Sequence, residues 1–405
     1  MQAITYDRIA DAAEHFDDDI VQHTPTDLSR SIGRTVGADV HLKMEHLQRT
    51  GSFKTRGAFN KMRTLQADTD VERVVAASAG NHAQGVALTA TNAGFEATIV
   101  MPTDAPQAKI DATRGYGAEV ILHGNDFQAA MNHAHELADS PRTGFIHAYD
   151  DPAIVAGQGT IGLEIVEDVP DVDTVLVPIG GGGLIAGVGC ALAELAPDVR
   201  VVGVQAASAA TVPTSLQKGR PQTNDDVDTI ADGIATGGIS ELTLEHIDAY
   251  VDEVVTVPDS AIARAIMLLL ERAKQFVEGA GAAAVAPLLT DAIDVRDEVV
   301  VPVLSGGNLD ASMLQTVLSH ELTQRDRLLE LRIRIDDRPG VLEEISGVVS
   351  DHNANIRTVN HHRAHSELAV GEAFVTYQIE TSGVEHADNI KDAIEAVGYE
   401  VSQVN

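Results

Sequence analysis

Lys54 lies in a segment suited to covalent chemistry by an amine. Residues 50–58 read TGSFKTRGA, so small and hydroxyl-bearing side chains surround the lysine. A lysine amine can form a Schiff base with an aldehyde when it is partly desolvated and often neutral. Most lysines are solvated surface charges, and this segment alone leaves both interpretations open.

Three glycine-rich turns follow apolar, strand-like runs. Residues 78–85 read SAGNHAQG after the run 74–77, residues 180–183 are four glycines after 175–179, and residues 305–308 read SGGN after 299–304. Consecutive glycines cost backbone entropy and bury no side chain, so packing explains four of them poorly. Backbone N–H groups at a helix N-terminus can instead enclose a phosphate. The alternative is a tight turn, which needs only one or two glycines.

The tetraglycine turn favours a small phosphorylated cofactor. It lacks both the Gly-Lys-Ser/Thr ending of a nucleotide P-loop and the spacing of a dinucleotide fingerprint. ATP and NAD therefore fit less well. A Schiff-base lysine, a phosphate-binding turn and a serine directly after a strand together meet the needs of pyridoxal phosphate.

Residues 1 to about 320 resemble the fold-type II pyridoxal-phosphate enzymes, and most closely the threonine dehydratase (threonine ammonia-lyase) family. The resemblance implies elimination from L-threonine, and from L-serine as well, to give 2-oxobutanoate or pyruvate and ammonia. Six segments carry it in the family's order: 50–58, 78–85, 180–184, 231–235 (ADGIA), 277–282 (VEGAGA) and 305–308.

The same resemblance implies a role for each matching residue. Lys54 would hold pyridoxal 5'-phosphate and later take the α-proton of the substrate, and Asn81 would hydrogen-bond the cofactor's phenolic oxygen. Gly233 and Glu278 would lie near the cofactor or the substrate. Backbone amides would bind the phosphate at Gly180, Gly181, Gly182, Gly183 and Leu184. The substrate carboxylate would be received by the turn formed by Ser78, Ala79, Gly80, Asn81 and His82.

Ser305 would face the pyridine nitrogen of the cofactor. A neutral serine does not enforce ring protonation as an aspartate does, so the ring is a weaker electron sink. A long-lived carbanion is then disfavoured. Prompt loss of the β-hydroxyl is favoured.

Three other functions are alternatives. Similar serine racemases have a second serine where this chain has Ala79, and a methyl group cannot return a proton to the second face of the substrate. Cysteine and threonine synthases usually differ in the residues after the lysine, which here read TRG. A non-catalytic amino-acid sensor is the third possibility. The intact Lys54, Asn81, tetraglycine turn and Ser305 argue against it.

The order of apolar runs predicts an α/β fold of parallel sheets covered by helices. Runs at 74–77, 97–100, 120–122, 175–179, 201–204 and 299–304 alternate with helix-length amphipathic stretches. Ligands bind such sheets at the carboxyl ends of strands, where all three glycine turns fall. The resemblance adds a two-lobed arrangement, with a small mobile lobe at about 47–148 and the site in the cleft.

The character of the chain changes after Arg327. Residues 328–335 alternate as a half-buried strand, and a β-α-β-β-α-β order follows, with DRPGVL at 337–342. This segment resembles an ACT domain, and we predict a catalytic domain over 1–320 and an ACT regulatory domain over 328–405. Such domains often bind amino acids at paired interfaces, so isoleucine or valine is the expected effector. The alternative is that the tail only dimerises the enzyme. A homodimer or homotetramer is expected.

The composition is strongly acidic throughout. There are 61 Asp and Glu residues against 28 Lys and Arg, a net charge of −33. This charge would repel nucleic acid and destabilise a compact state unless salt screened it, which predicts a halophilic protein in a salt-rich cytoplasm. No signal pattern or membrane-length apolar run is present. The sequence also offers no convincing metal-ligand pattern, and no metal is expected.

Overall fold

The computed structural model describes residues 4–67, 70–224 and 226–404. The chain forms two compact units, of which the first ends at Asp310 and the second begins at Ala311. The predicted boundary was placed at 320–328. Helix 311–324 begins at the observed division, overlaps the predicted boundary range and groups with the second unit.

The first unit contains two sheets. The strands are β1 Thr26–Leu28, β2 Asp39–Lys43, β3 Arg73–Ala77, β4 Glu96–Met101, β5 Glu119–Leu122, β6 Thr143–Phe145, β7 Thr174–Pro178, β8 Arg200–Ala206, β9 Glu253–Val257 and β10 Val299–Pro302. The larger sheet has the order β1-β2-β10-β7-β8-β9, and the smaller has the order β5-β4-β3-β6. All pairings are parallel except that of β1 with β2.

Twelve α-helices surround these sheets within the described part of the first unit. They are α1 Tyr6–Glu14, α2 Arg30–Val36, α3 Lys54–Gln66, α4 Asn81–Ala93, α5 Gln107–Gly115, α6 Phe127–Ala138, α7 Pro152–Asp168, α8 Gly183–Leu195, α9 Val212–Lys218, α10 Glu241–Tyr250, α11 Asp259–Leu268 and α12 Gly279–Ala282. Valine and isoleucine side chains of β7, β8 and α8 build the core of the larger sheet. A separate core, rich in alanine from α4, covers the smaller sheet.

Helices α3 and α7 cross at a close approach that glycines permit. A Cβ atom added at Gly57 would lie 2.6 Å from the carbonyl oxygen of Ile154, and one added at Gly157 would lie 2.6 Å from that of Arg56. Backbone therefore packs on backbone, which leaves the start of α3 little freedom to move. Lys54 is the first residue of that helix.

The predicted α/β class and the parallel sheets are confirmed. Strands β1, β2, β6 and β9 were not among the predicted runs, and β10 ends at Pro302, before the predicted Leu304. β1 and β6 have only three residues each, none of them buried, so they lack the apolar runs on which the prediction relied. The antiparallel β1 was therefore also missed.

The second unit is a four-stranded antiparallel sheet with three helices. Its elements are α13 Ala311–Gln324, β11 Leu328–Asp336, α14 Val341–Asp351, β12 Asn355–His362, β13 Glu372–Glu380, α15 Val384–Ala396 and β14 Glu400–Gln403, with the strand order β12-β13-β11-β14. The β-α-β-β-α-β order is that predicted from residue 328 onward. Alternate residues of β11, including Leu331, Ile333 and Ile335, pack with α14 and α15. Within the described residues, no helix is long and apolar enough to cross a membrane.

Candidate active site

Backbone hydrogen bonds tie the loop before Lys54 to the loop that carries Ser305. The N–H of Phe53 donates to the carbonyl of Ser305 at 3.1 Å, and the N–H of Gly307 donates to the carbonyl of Gly51 at 2.9 Å. Residues 52 and 306 form an antiparallel bridge between these bonds. The lysine and the serine, 251 positions apart in sequence, are thereby held in one local structure.

The amine of Lys54 is held in a setting that favours its neutral form. Its Nζ donates to the carbonyl oxygen of Ala148 at 3.0 Å. Burial lowers the pKa of Lys54 to about 8 from its ordinary value of 10.5, because desolvation penalises the charged form. About one tenth of the molecules then carry a neutral amine at pH 7. This meets the requirement for nucleophilic attack on an aldehyde.

We expect the rate at which pyridoxal phosphate attaches to the apoprotein to rise with pH and to level off above about 8, because only the neutral amine of Lys54 attacks. Stopped-flow absorbance between pH 6 and 11 measures this rate. Attachment to a small lysine peptide under the same conditions corrects for the cofactor's own ionisations. A rate that keeps rising to the ordinary lysine pKa of 10.5 would contradict the lowered value.

The tetraglycine turn joins β7 to the N-terminus of α8, and side chains would not fit in it. A Cβ atom at Gly181 would lie 2.2 Å from the ring of Tyr149, and one at Gly182 would lie 2.9 Å from Cβ of Thr243. Gly182 also has a φ of +87°, in the left-handed region. The first N–H groups of a helix lack intrahelical acceptors, so α8 offers amides to an anion.

Asn81 and Glu278 form a hydrogen-bonded pair on another wall. Asn81 Nδ2 donates to Glu278 Oε1 at 2.6 Å. Burial raises the pKa of Glu278 to about 7, although the hydrogen bond from Asn81 favours the carboxylate. A Cβ atom at Gly306 would lie 2.1 Å from this carboxyl oxygen, so a side chain there would displace the carboxyl group of Glu278.

Two histidines beside Lys54 are neutral. Desolvation, together with the nearby charge of Lys54, lowers the pKa of His82 to about 3, and its Nε2 donates to the carbonyl of Ile146 at 3.0 Å. Burial also lowers the pKa of His147, whose Nδ1 accepts from the N–H of Asp150 at 2.8 Å. Neither ring therefore adds a positive charge near the amine at neutral pH.

These features surround one cavity of about 430 Å³. Every residue predicted for the site lines it: Lys54, Ser78, Ala79, Gly80, Asn81, His82, Gly180, Gly181, Gly182, Gly183, Leu184, Gly233, Glu278 and Ser305. The roles assigned to these residues remain predictions.

The sequence analysis assigned no role to several other residues that line the cavity: Lys109, Phe127, Met131, His147, Tyr149, Asp232 and Asn308. Lys109 and Asp232 face each other at 3.8 Å. Asn308 stood in the SGGN segment and could have been given a role from it. The pattern around Tyr149 gives no comparable signal, since it is a single aromatic residue ahead of α7.

A buried cluster of charges lies directly behind the lysine loop. The guanidinium of Arg56 makes two bonds of 2.7 Å to the carboxylate of Glu45 and bonds of 2.6 and 2.8 Å to that of Glu164. Lys43 Nζ lies 2.6 Å from Glu164. The charges of two cations and two carboxylates cancel within the cluster. This pairing offsets the cost of burying charged groups in the core next to the site.

Mutual attraction within this cluster outweighs desolvation. Burial alone would lower the pKa of Arg56, but Glu45 and Glu164 raise it above its ordinary value. Burial alone would likewise raise the pKa of Glu45, yet Arg56 holds it below the usual value. Both groups therefore stay charged. The sequence analysis did not find this cluster.

The lining fits pyridoxal phosphate. The desolvated amine of Lys54 suits the aldehyde, the side-chain-free turn at the start of α8 suits the phosphate, and the buried hydroxyl of Ser305 suits a pyridine nitrogen. An anion held by backbone amides needs no basic side chain. No group of three or more metal-ligating side chains occurs among the described residues.

Comparison with known proteins defines the class. Residues 18–306 match the family model for pyridoxal-phosphate dependent enzymes, and residues 329–396 match the ACT domain. The chain belongs to the family of pyridoxal-phosphate dependent enzymes and carries a C-terminal ACT domain. It is similar to the L-threonine ammonia-lyase of Thermotoga maritima, with 44% identity over 382 residues that cover 94% of this chain and 95% of the relative.

Solved structures agree with this assignment. Threonine deaminase isoform 2 of Solanum lycopersicum has a TM-score of 0.74 and 37% identity, covering 78% of this chain and 87% of that one. Maize serine racemase also has a TM-score of 0.74, with 32% identity over 80% of this chain and 99% of its own. The resemblance inferred from the six segments is thus confirmed, as are the fold and the cofactor class.

Proposed function

We propose that the protein is an L-threonine ammonia-lyase that converts L-threonine to 2-oxobutanoate and ammonia and also accepts L-serine. The observation that carries this proposal is the convergence, in one cavity, of the desolvated Lys54 amine, the helix-terminal glycine turn and the neutral Ser305. Relatives that align over nearly the whole chain have this activity in their names.

Each group of site residues has a separate role in the proposed elimination. Bound pyridoxal phosphate supplies an electron-withdrawing ring that stabilises negative charge on the substrate's α-carbon. The amides of residues 180–184 hold the phosphate, and the turn 78–82 at the start of α4 receives the substrate carboxylate. Lys54 Nζ removes the α-proton and keeps it within reach of the departing β-hydroxyl, which leaves as water. Uptake of water by the released enamine then yields the oxoacid and ammonia.

Ala79 supports elimination over racemisation. Racemisation requires a proton donor on each face of the substrate, and the methyl group of Ala79 cannot act as one. Ala79 lines the cavity as part of the turn that would hold the carboxylate. The structural similarity to a serine racemase therefore concerns the fold, and this residue argues against the same chemistry.

Purified protein with added pyridoxal phosphate in concentrated KCl tests the proposal. With L-threonine we expect 2-oxobutanoate and ammonia in equal amounts. We expect a lower rate with L-serine, because one methyl group changes the binding free energy in a pocket by about 1–3 kcal/mol. Chiral chromatography of the remaining substrate measures racemisation. A visible cofactor band with formation of the D-isomer and no oxoacid would contradict the proposal and indicate that the protein is a racemase. Amino-acid binding without any cofactor band would indicate a sensor.

We further propose that the ACT domain binds isoleucine or valine and that this binding changes turnover. An effector acts on a distant site only by the difference in its affinity for two states, typically about 1–3 kcal/mol. Repeating the threonine assay with each amino acid, beside equilibrium dialysis, measures both effects. Binding without a change in rate would leave the domain an assembly module. Sedimentation velocity tests the expected homodimer or homotetramer.

We expect activity and thermal stability to fall together as the KCl concentration is lowered from about 2 M to 0.1 M. The Debye length then grows from a few Å to about 10 Å, so repulsion within the net charge of −33 is no longer screened. Differential scanning fluorimetry and the threonine assay measure this change. NaCl should replace KCl, whereas sucrose should not. An unchanged melting curve and full activity at low salt would contradict a halophilic protein in a salt-rich cytoplasm.

A further inference from the structure

The side-chain amide of Asn308 links the lysine loop to Asn81. Its Nδ2 donates to the carbonyl oxygen of Thr50 at 2.8 Å and to Oδ1 of Asn81 at 2.7 Å. Asn81 in turn donates from Nδ2 to Glu278 at 2.6 Å. A chain of hydrogen bonds therefore runs from a backbone carbonyl through two amides to a carboxyl group.

The chemistry of the first partner fixes the direction of the whole chain. A backbone carbonyl can only accept, so the Asn308 atom facing Thr50 must be Nδ2. The second hydrogen of that nitrogen points at Asn81, so the atom of Asn81 that accepts it must be Oδ1. The Nδ2 group of Asn81 is then forced to the opposite side. One of its hydrogens goes to Glu278, and Asn81 itself lines the cavity.

Packing keeps Asn308 in this place. A Cβ atom at Gly51 would lie 2.6 Å from Asn308 Oδ1 and 3.1 Å from its Cγ, so the amide lies flat against a glycine. Gly51 has a φ of +75°, which a larger residue rarely adopts. Asn308 itself lines the cavity.

We propose that Asn308 is a positioning residue that sets the amide orientation of Asn81 and so presents an N–H donor, and not a carbonyl, to the phenolic oxygen of the cofactor. The proposal rests on the proposed function, which gives Asn81 that contact. Asn308 acts through Asn81 and takes no part in proton transfer.

Three variants test this role. Asn308→Asp keeps the shape but replaces the donor by an acceptor, which should turn the Asn81 amide over. Asn308→Ala removes the anchor and leaves both orientations open. Asn60→Asp is the matched control, because Asn60 Nδ2 also donates to a backbone carbonyl, that of Ala153 at 2.7 Å, and Asn60 does not line the cavity.

The readouts are the pH midpoint of the cofactor's visible absorption change, the affinity for pyridoxal phosphate and the melting temperature. A donated hydrogen bond favours the anionic phenolic oxygen, so its loss moves the midpoint upward. We expect a rise of about one unit and about tenfold weaker binding in Asn308→Asp. Asn308→Ala should show a smaller rise, and Asn60→Asp no rise.

The outcomes separate the two proposals. Wild-type protein without a visible cofactor band would defeat the proposed function itself. If the wild type has a normal band and Asn308→Asp has an unchanged midpoint, Asn308 is only structural. A melting temperature lowered in Asn308→Asp as in Asn60→Asp would not alter that conclusion. A rise confined to the Asn308 variants supports the positioning role.

Discussion

Replacing Lys54 by alanine is expected to lower turnover of L-threonine by about 10³-fold or more, because the proposed mechanism makes one group both the amine that attaches the cofactor and the base that takes the α-proton. Proton transfer by a positioned side chain alone contributes about 10²–10⁴-fold. The buried amine in the cavity, with a pKa lowered to about 8 by desolvation, is the physical basis for both roles. Steady-state release of 2-oxobutanoate at saturating threonine and cofactor measures the loss.

Lys61→Ala is the matched control for this substitution. Lys61 lies on the same helix and pairs with Asp151 at 2.6 Å, but it does not line the cavity. Its replacement should leave turnover within a factor of a few of the wild type. If Lys54→Ala remained folded and retained more than a tenth of the activity, Lys54 would not be the catalytic amine.

Arg56→Met is expected to destabilise the protein by about 3–5 kcal/mol, the largest stability effect we predict for a single side chain. The substitution removes the guanidinium that pairs with Glu45 and Glu164, so the fully buried carboxylate of Glu45 loses its ion-pair partner. Glu45 must then either keep a charge in the core or take up a proton, and each costs free energy. Urea unfolding at high salt, followed by fluorescence and circular dichroism, measures the change.

Arg73→Met provides the comparison, since Arg73 and Glu96 form an ion pair that is well exposed to solvent. That substitution should leave the unfolding midpoint nearly unchanged. The Arg56→Met, Glu45→Gln double variant should recover part of the lost stability, because the stranded charge is gone. Equal midpoints for Arg56→Met and Arg73→Met would mean that the buried cluster contributes no more than a surface pair.

The predicted site residues were accessible from sequence because their signals are local. A glycine such as Gly182 is needed where the backbone has a positive φ or where neighbouring atoms leave no room for a Cβ atom. Such glycines are visible in a short stretch of sequence. The strands before the three glycine turns are apolar runs, and parallel strands bring their carboxyl ends to one edge of a sheet. These rules place the turns that carry Asn81 and Ser305 at the carboxyl ends of strands, and the resemblance to the pyridoxal-phosphate enzymes adds Lys54 to the same site.

The remaining parts depend on contacts between distant positions. Glu164 lies on α7, far in sequence from Arg56, and nothing in either local pattern predicts that they pair. Tyr149 enters the cavity only because α7 begins next to the tetraglycine turn. The short strands β1 and β6 pair through backbone groups without an apolar run. Single-sequence patterns report periodicity and local conformation, so such partners stay hidden.

The second unit shows the opposite case. From Leu329 onward, residues of β11 alternate between the helix-covered and the open face of an antiparallel sheet, which is the pattern that a single sequence displays best. The β-α-β-β-α-β order from residue 328 onward was therefore predicted correctly, whereas α13, which precedes it in the second unit, was not predicted. The boundary between the two domains remains a prediction.

The measurement that tests the central claim most directly is the location of the bound cofactor. Borohydride reduction of the holoenzyme, trypsin digestion and mass spectrometry identify the lysine that carries it. We predict a pyridoxyl phosphate adduct on the peptide of residues 50–56, with cleavage blocked at Lys54. An active enzyme with the adduct on any other lysine would contradict the proposed site, whichever of Lys43, Lys61, Lys109, Lys218, Lys274 or Lys391 carried it.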